Sequence, residues 1–219
     1  MTRPQRVTIE GRYVRIEPLD PTKHTEALWQ GLGGEANDSL WLYMPDGPFM
    51  DRPAFEVHMQ AKAISEDPLF FAIVDKKTGL AVGRSTLMRI DPPNRVIEVG
   101  GIMFTRALQQ SRGATEAMYL LARYVFEDPG SGGLGYRRYE WKCNALNEPS
   151  RRAALRLGFS FEGIFRQHMI IKERNRDTAW FSMLDSEWPA RKREFERWLD
   201  ESNFDSDGIQ KTRLKSAGD

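Results

Sequence analysis

"RVIEVGGIMFTRALQQSRGATEA" (Arg95 to Ala117) changes its periodicity halfway along. The first ten residues are mostly apolar and β-branched and read as a strand. Gly100 and Gly101 interrupt it, as at a bulge or a close approach of another backbone. Good helix formers then take over. Ala114, Met118, Leu121 and Val125 fall on one face at helical spacing. "EDPGSGGLG" (Glu127 to Gly135) ends that helix with a run of breakers. "YRRYEWKCN" (Tyr136 to Asn144) alternates as a second strand. "NEPSRRAALRLGF" (Asn147 to Phe159) carries a short helix, with Pro149 in its first turn and Gly158 at its end. The result is a strand–helix–strand–helix unit. A parallel strand pair joined by a helix opens its ligand crevice at the carboxyl ends of the strands.

Upstream, "LFFAIVD" (Leu69 to Asp75), "LAVGRSTLMRI" (Leu80 to Ile90) and the strand from Arg95 are joined by the turns "KKTG" and "DPPN", an antiparallel meander. "RYVRIEPL" (Arg12 to Leu19) is a further strand. Asp20 and Thr22 offer caps to a helix near residues 23–32, and Asp51 with Pro53 starts another near 53–66. Between them, residues 33–53 read as loop containing an aromatic stretch. Downstream, "EGIFRQHMII" (Glu162 to Ile171) and "DTAWFSMLD" (Asp177 to Asp185) are strands joined by the charged turn "KERNR". A last helix at about 187–201 turns Trp188, Phe195, Trp198 and Leu199 toward the body. The expected fold is a single α+β (mixed α/β) domain over 1–202. It has a mostly antiparallel twisted sheet, one splayed parallel pair and flanking helices. Residues 203–219 read as a polar, flexible tail.

The chain has 219 residues, a formal net charge of +1 and one cysteine, Cys143. Near-neutral charge gives no field toward nucleic acid or membrane. A lone cysteine excludes an intrachain disulfide and fits a reducing compartment. No apolar run reaches membrane length and the N-terminus lacks a signal-peptide core, so a cytoplasmic location is expected. His24, His58 and His168 are scattered, so no metal is expected.

The helix start from Gln110 to Thr115 exposes unpaired N–H groups, and Gly113 and Ala114 admit a ligand close to the backbone. That suits a diphosphate. Neither the P-loop pattern nor the dinucleotide fingerprint is present. The other reading is a capped helix whose small residues serve packing.

These motifs resemble the GNAT superfamily of acetyl-CoA-dependent N-acetyltransferases, and within it the ribosomal-protein N-terminal (RimJ/RimL-type) branch. The family's loop reads Q/R-x-x-G-x-G/A. Aligned on "TEA", Gln109 takes the first place, Arg112 the first glycine and Ala114 the second small residue. Arg112 departs from the pattern. The resemblance implies that Gln109, Gln110, Ser111, Arg112, Gly113, Ala114 and Thr115 hold the coenzyme A pyrophosphate. It implies that the strand at Ile102, Met103 and Phe104 pairs with the pantetheine arm. In "NEPSRRAALRLGF", Asn147 and Ser150 match the family's asparagine and small residue, while Ala154 stands where many relatives carry a tyrosine. The resemblance then makes Asn147 a pantetheine anchor and Ser150 the acid that protonates the leaving thiolate. Cap and turn roles are the alternatives for both.

Attack of an amine on a thioester needs a base or a water chain to take the amine's proton. Glu98, on the strand that opens at the glycines, is the first candidate. The alternative is a strand residue paired with Arg84 or Arg95. Glu162, His168 and His58 follow. Cys143 would allow a covalent route, but among strand residues it reads as a packed small hydrophobe. Trp29, Trp41, Tyr43 and "MPDGPF" lie where the resemblance places the acceptor groove. The expected activity is direct acetyl transfer to a primary amine, on a protein N-terminus or a small molecule, in a ternary complex. A non-catalytic acyl-CoA-binding module is the alternative. A nucleic-acid partner resting on "SRRAALR" and "KERNR" lacks interleaved aromatics. Monomer and homodimer both remain open.

Overall fold

The computed structural model describes residues 3–215. In chain order the elements are β1 (Ile9–Glu10), β2 (Val14–Pro18), α1 (Pro21–Leu32), α2 (Arg52–Ala63), β3 (Leu69–Asp75), β4 (Ala81–Asp91), β5 (Val96–Phe104), α3 (Arg112–Phe126), β6 (Arg138–Asn144), α4 (Glu148–Arg156), β7 (Ser160–Ile171), β8 (Arg174–Leu184) and α5 (Trp188–Leu199). One eight-stranded sheet runs β1-β2-β3-β4-β5-β6-β8-β7. Every neighbouring pair is antiparallel except β5 and β6. The mixed sheet with one parallel pair is the fold the motif order implies.

β3 is buried on both faces, and its alternating side chains divide between two cores. Phe71 and Ile73 join the core under α3 and α5. Phe70, Ala72 and Val74 join Leu28, Leu32, Phe55 and Met59 of α1 and α2 on the other face. Local chemistry starts each helix. Asp20 and Asp51 cap α1 and α2 through Thr22 N and Ala54 N, with proline in the first turn of each. In the β7–β8 hairpin both turn residues, Lys172 and Glu173, take positive φ, as a two-residue turn requires, so β8 begins at Arg174, inside the expected charged turn.

Three features differ from the sequence reading. Residues 33–53 contain a 3₁₀ helix (Glu35–Trp41) whose Trp41 is fully buried and donates from Nε1 to the Leu32 carbonyl at 2.7 Å. α3 is buried almost all round rather than on one face, because α5 covers its outer side. Tyr119 stacks with Trp188 and donates to Glu196 at 2.9 Å. The segment from 203 to 215 is pinned to the body at a few points, while most of its residues are exposed. Phe204 and Leu214 are buried, and Trp198 Nε1 donates to Gln210 Oε1 at 2.7 Å. Its polar composition conceals these few anchors. Residues 216–219 of the expected tail lie outside the described residues.

The feature that makes the site is a parting of strands. β5 and β6 pair only from Val96–Arg138 to Val99–Trp141. Beyond that, β5 follows β4 to Phe104, and β6 follows β8 to Asn144. The parting begins at Gly100 and Gly101. Gly101 has φ +55°, where glycine is favoured, and the β4–β5 register shifts opposite it.

Candidate active site

The parting leaves the Gly100–Phe104 edge of β5 without a strand partner on the β6 side. Two cavities flank it, and Trp141 lines both.

The larger cavity, about 1280 Å³, lies between the start of α3, α4 and the C-terminal segment. Gln109, Gln110, Ser111, Arg112, Ala114 and Thr115 line it, as does Phe104. Ser111 caps α3, its Oγ accepting from Ala114 N at 3.1 Å, and Gln110 takes φ +57° to bring the chain into the helix. The charged side chains on the wall are Arg112, Arg152 and Arg156, with no carboxylate among the lining residues. Such a wall suits a polyanion. The basic run "SRRAALR" therefore supplies cavity residues, Arg152 and Arg156, which the sequence offers only as a nucleic-acid contact because nothing in it shows which wall α4 faces. Arg156 donates to Thr115 Oγ1 at 3.1 Å and lies over Trp198, and burial lowers its pKa.

Two members of the expected loop serve the body of the protein. Gly113 is buried, and a Cβ there would come within 2.9 Å of Val14 Cγ1 on β2. Its lack of a side chain answers to packing. Arg112 lies over the Phe204 ring at 3.9 Å, so the residue that departs from the family loop is clasped by the C-terminal segment. A signal for α3 placement also went unread. Glu116 is buried and accepts from the backbone N–H groups of Arg12, Tyr13 and Val14 at 2.7, 2.7 and 2.8 Å. It ties the helix to the β1–β2 turn.

The smaller cavity, about 250 Å³, is reached by Gly100, Gly101 and Ile102 from β5 and by Asn147 and Ser150 from α4. Met103, by contrast, turns into the core below α1 and α2. Glu98 lines the cavity and is 4% exposed. Its Oε2 takes Lys142 Nζ at 2.9 Å and Arg89 Nε at 3.2 Å. The partners are thus Lys142 and Arg89, not the Arg84 or Arg95 considered from sequence. Oε1 faces Gly100, since a Cβ there would lie 3.6 Å from it. Burial pushes the Glu98 pKa up against the pull of its two cations. Ser150 Oγ accepts from Trp141 Nε1 at 3.0 Å, and Asn147 Oδ1 caps α4 by accepting from Ser150 N at 3.2 Å. The cap role of Asn147 is therefore real, and it sets Ser150 at the parting.

The other candidates separate cleanly. Glu162 is held by Arg138 at 2.5 and 2.8 Å, which lowers its pKa, and it lines neither cavity. His58 packs among Trp41, Phe49 and Phe55 and is pushed down to about 4, chiefly by burial. His168 does line the cavity, with Nδ1 2.9 Å from Thr178 Oγ1. Cys143 also lines it, but burial raises its thiol pKa and weakens it as a nucleophile. Trp29 and Trp41 are core, whereas Tyr43, Met44, Pro45 and Asp46 form one wall. Among the described residues, no group of three His, Cys, Asp or Glu is placed to hold a metal ion, and no helix is long and apolar enough to cross a membrane.

Comparison with known proteins agrees with this architecture. No curated protein matches the chain. A GCN5-related N-acetyltransferase from Brucella melitensis is 50% identical, with 97% of this chain and 95% of that one covered and a TM-score of 0.92. A GNAT-family protein from Chromobacterium violaceum is 39% identical over 86% of this chain and 91% of that one, with a TM-score of 0.78. RimL, a ribosomal L7/L12 α-N-protein acetyltransferase, is 17% identical over 81% and 94%, with a TM-score of 0.67, a likeness of fold. Residues 14–160 match the acetyltransferase (GNAT) domain, and the chain belongs to that family of acyltransferases.

Proposed function

We propose that this enzyme transfers the acetyl group of acetyl-CoA directly to a primary amine, with both substrates bound at once. The observation that carries the reading is the β5–β6 parting. It puts a free strand edge between an arginine-walled cavity and a buried carboxylate. The free edge at Ile102 to Phe104 offers backbone groups to the amides of a pantetheine arm. Arg152, Arg156 and the N–H groups of Gln110, Arg112 and Gly113 at the start of α3 receive the phosphates, since Ser111 N and Ala114 N are already bonded to Leu108 O and Ser111 Oγ. In the smaller cavity, Glu98 takes the proton that the amine must lose, through Oε1. Backbone N–H groups at the Gly100–Gly101 bulge stabilise the oxyanion that forms on the thioester carbonyl. Ser150, on the smaller cavity beside Trp141, which lines both, protonates the departing thiolate. Its Oγ accepts from Trp141 Nε1 and its hydroxyl is hydrogen-bonded to the Cys143 side chain, so the proton must turn from that sulfur to the thiolate.

The test is thiol release from acetyl-CoA with a panel of amines, together with calorimetric titration of acetyl-CoA. Coenzyme binding with amine-dependent thiol release is the expected result. No binding heat and no thermal shift at millimolar acetyl-CoA would defeat the reading.

A further inference from the structure

One side chain in the smaller cavity has no account in the transfer reaction. Arg84, on β4, is 1% exposed, and its guanidinium has no oxygen acceptor. Nε and Nη1 have no hydrogen-bond partner, and Nη2 meets only the thioether of Met103 at 3.3 Å. Its faces lie over Trp41 and Phe70, each 5.4 Å from the ring centroid. Thr86, two residues along β4, is also 1% exposed with an unpartnered Oγ1. Both line the cavity, and they bracket the register shift opposite Gly101.

A buried cation without a counter-charge costs several kcal/mol, on the order given for desolvating an ion. The rest of the cavity does not offset it. Asp46 is taken by Lys62 at 3.3 Å. Glu98 is taken by Lys142 and Arg89. Arg176 adds a further cation, hydrogen-bonded to Thr178 Oγ1. On the lining, two carboxylates face five cationic side chains; Glu140 behind the wall also holds Lys142 at 2.6 Å, and Asp46, the carboxylate that acts on Arg84, is shared with Lys62 and makes no hydrogen bond to the guanidinium.

We propose that Arg84 and Thr86 form a carboxylate-binding site within the acceptor cavity, so that the amine acetylated is a small molecule that itself carries a carboxylate. This rests on the acetyltransferase reading. A carboxylate meets a guanidinium through parallel N–H bonds in one plane, and Arg84 has Nε and Nη1 both unbonded for it, with the Trp41 and Phe70 rings beside the group. Thr86 donates to a second lone pair. Arg84 and Thr86, two residues apart on β4, line the same cavity, so both can address one carboxylate group. At about 250 Å³ the cavity suits a small molecule better than a polypeptide end, and two side-chain bonds tie the segment that forms its Tyr43 wall. Tyr43 donates to the Leu146 carbonyl at 3.1 Å, and Lys172 donates to the Trp41 carbonyl at 2.9 Å. The walls beyond the charges are apolar, including Met44, Phe70 and Met169.

The experiment compares methionine and phenylalanine with their amides as acceptors, with peptides bearing free N-termini as a third arm. The amides have the less basic amine and are more often neutral, so intrinsic reactivity favours them. The wild-type enzyme is expected to show kcat/KM at least about tenfold higher for the acids. Arg84→Met should remove that preference by raising KM for the acids while kcat for the amides stays within about twofold. Its melting temperature should hold or rise, because an unpaired buried charge has been replaced by an apolar chain. Should that variant not fold, Thr86→Val should weaken the acids alone by a few-fold. Equal turnover of acids and amides, peptides outperforming both acids, no turnover of any arm, or a parallel loss for acids and amides in Arg84→Met would each overturn the carboxylate site. Calorimetry with acetyl-CoA keeps the readings apart, since a missing coenzyme signal defeats the acetyltransferase reading first.

Discussion

The two cavities flanking the strand parting are built in opposite ways. On the coenzyme side the cations are in contact with the protein itself. Arg112 lies on Phe204 and Arg156 donates to Thr115, and no carboxylate lines that wall. On the acceptor side the charges are interlocked and buried, and one, Arg84, has no oxygen to bond. Arg112 and Arg156 are held by packing and Arg152 stands exposed beside Glu148, a wall that can receive a phosphate group without rearrangement of the core. A buried ion network is set to one protonation state and one ligand charge. The coenzyme side thus tolerates substitution by small increments, while the acceptor side should fail sharply.

The sharpest expected failure is Glu98→Gln. A positioned base contributes about 10²- to 10⁴-fold, and loss of turnover within that range is expected at neutral pH, shrinking at alkaline pH where more amine is neutral. The wild-type profile carries the sign of the burial. The base must be ionised to work, and burial raises its pKa, so activity should fall off with acid earlier than an ordinary glutamate would dictate. Steady-state rates from acid to alkaline pH check both points. A profile that Glu98→Gln merely scales down at every pH would erase the contrast between the cavities.

Two glycines sharpen the comparison in the next range of effect. Gly113, on the coenzyme side, is small for packing, so Gly113→Val should destabilise the fold by about 1–3 kcal/mol, the usual penalty for overpacking. The added atoms run into Val14. Urea denaturation should show this, with acetyl-CoA affinity in the folded fraction largely kept. Gly101, at the parting, has φ +55° and would place a Cβ 3.0 Å from Thr86 Cγ2. Gly101→Ala should cost about 1–2 kcal/mol for the left-handed backbone, with the larger loss in kcat. Equal stability losses with equal activity losses would show that the two glycines do the same job.

What was legible in the sequence follows the same division. Much of the coenzyme side comes from the one stretch that runs from β5 into α3, so the helix start, its spacing and the glycines at the parting before it could be read directly, while the share from α4 and the C-terminal segment could not. Gly113 shows the limit of such reading. A small residue at a helix start looks alike whether it makes room for phosphate or for Val14. Acceptor residues come from β4 to β8 and from the loop at Tyr43 to Asp46, and a single strand arginine such as Arg84 gives no sign that its carboxylate is missing. The burial of Phe204 and Leu214 in a polar tail was hidden likewise, because two anchors in a dozen residues leave no periodicity.

The smallest effect expected concerns Arg112, the residue that departs from the family loop. Its guanidinium lies 3.9 Å from the centre of Phe204, and its Nη1 reaches Tyr13 Oη at 3.5 Å, near the limit for a hydrogen bond. A cation–π contact of this kind contributes about 0.5–1 kcal/mol at a partly exposed site. Arg112→Ala should therefore lower stability by about that amount and loosen the segment that carries Gly208, Ile209 and Gln210 onto the cavity wall. Hydrogen exchange should rise first in residues 203–212, because local opening there needs few contacts to break. Acetyl-CoA affinity should fall only a few-fold, and equally for a coenzyme fragment lacking the nucleotide phosphates. A loss of tenfold or more that vanishes with that fragment would instead mean that Arg112 leaves Phe204 to bind phosphate, and that the coenzyme wall is less settled than its packing indicates.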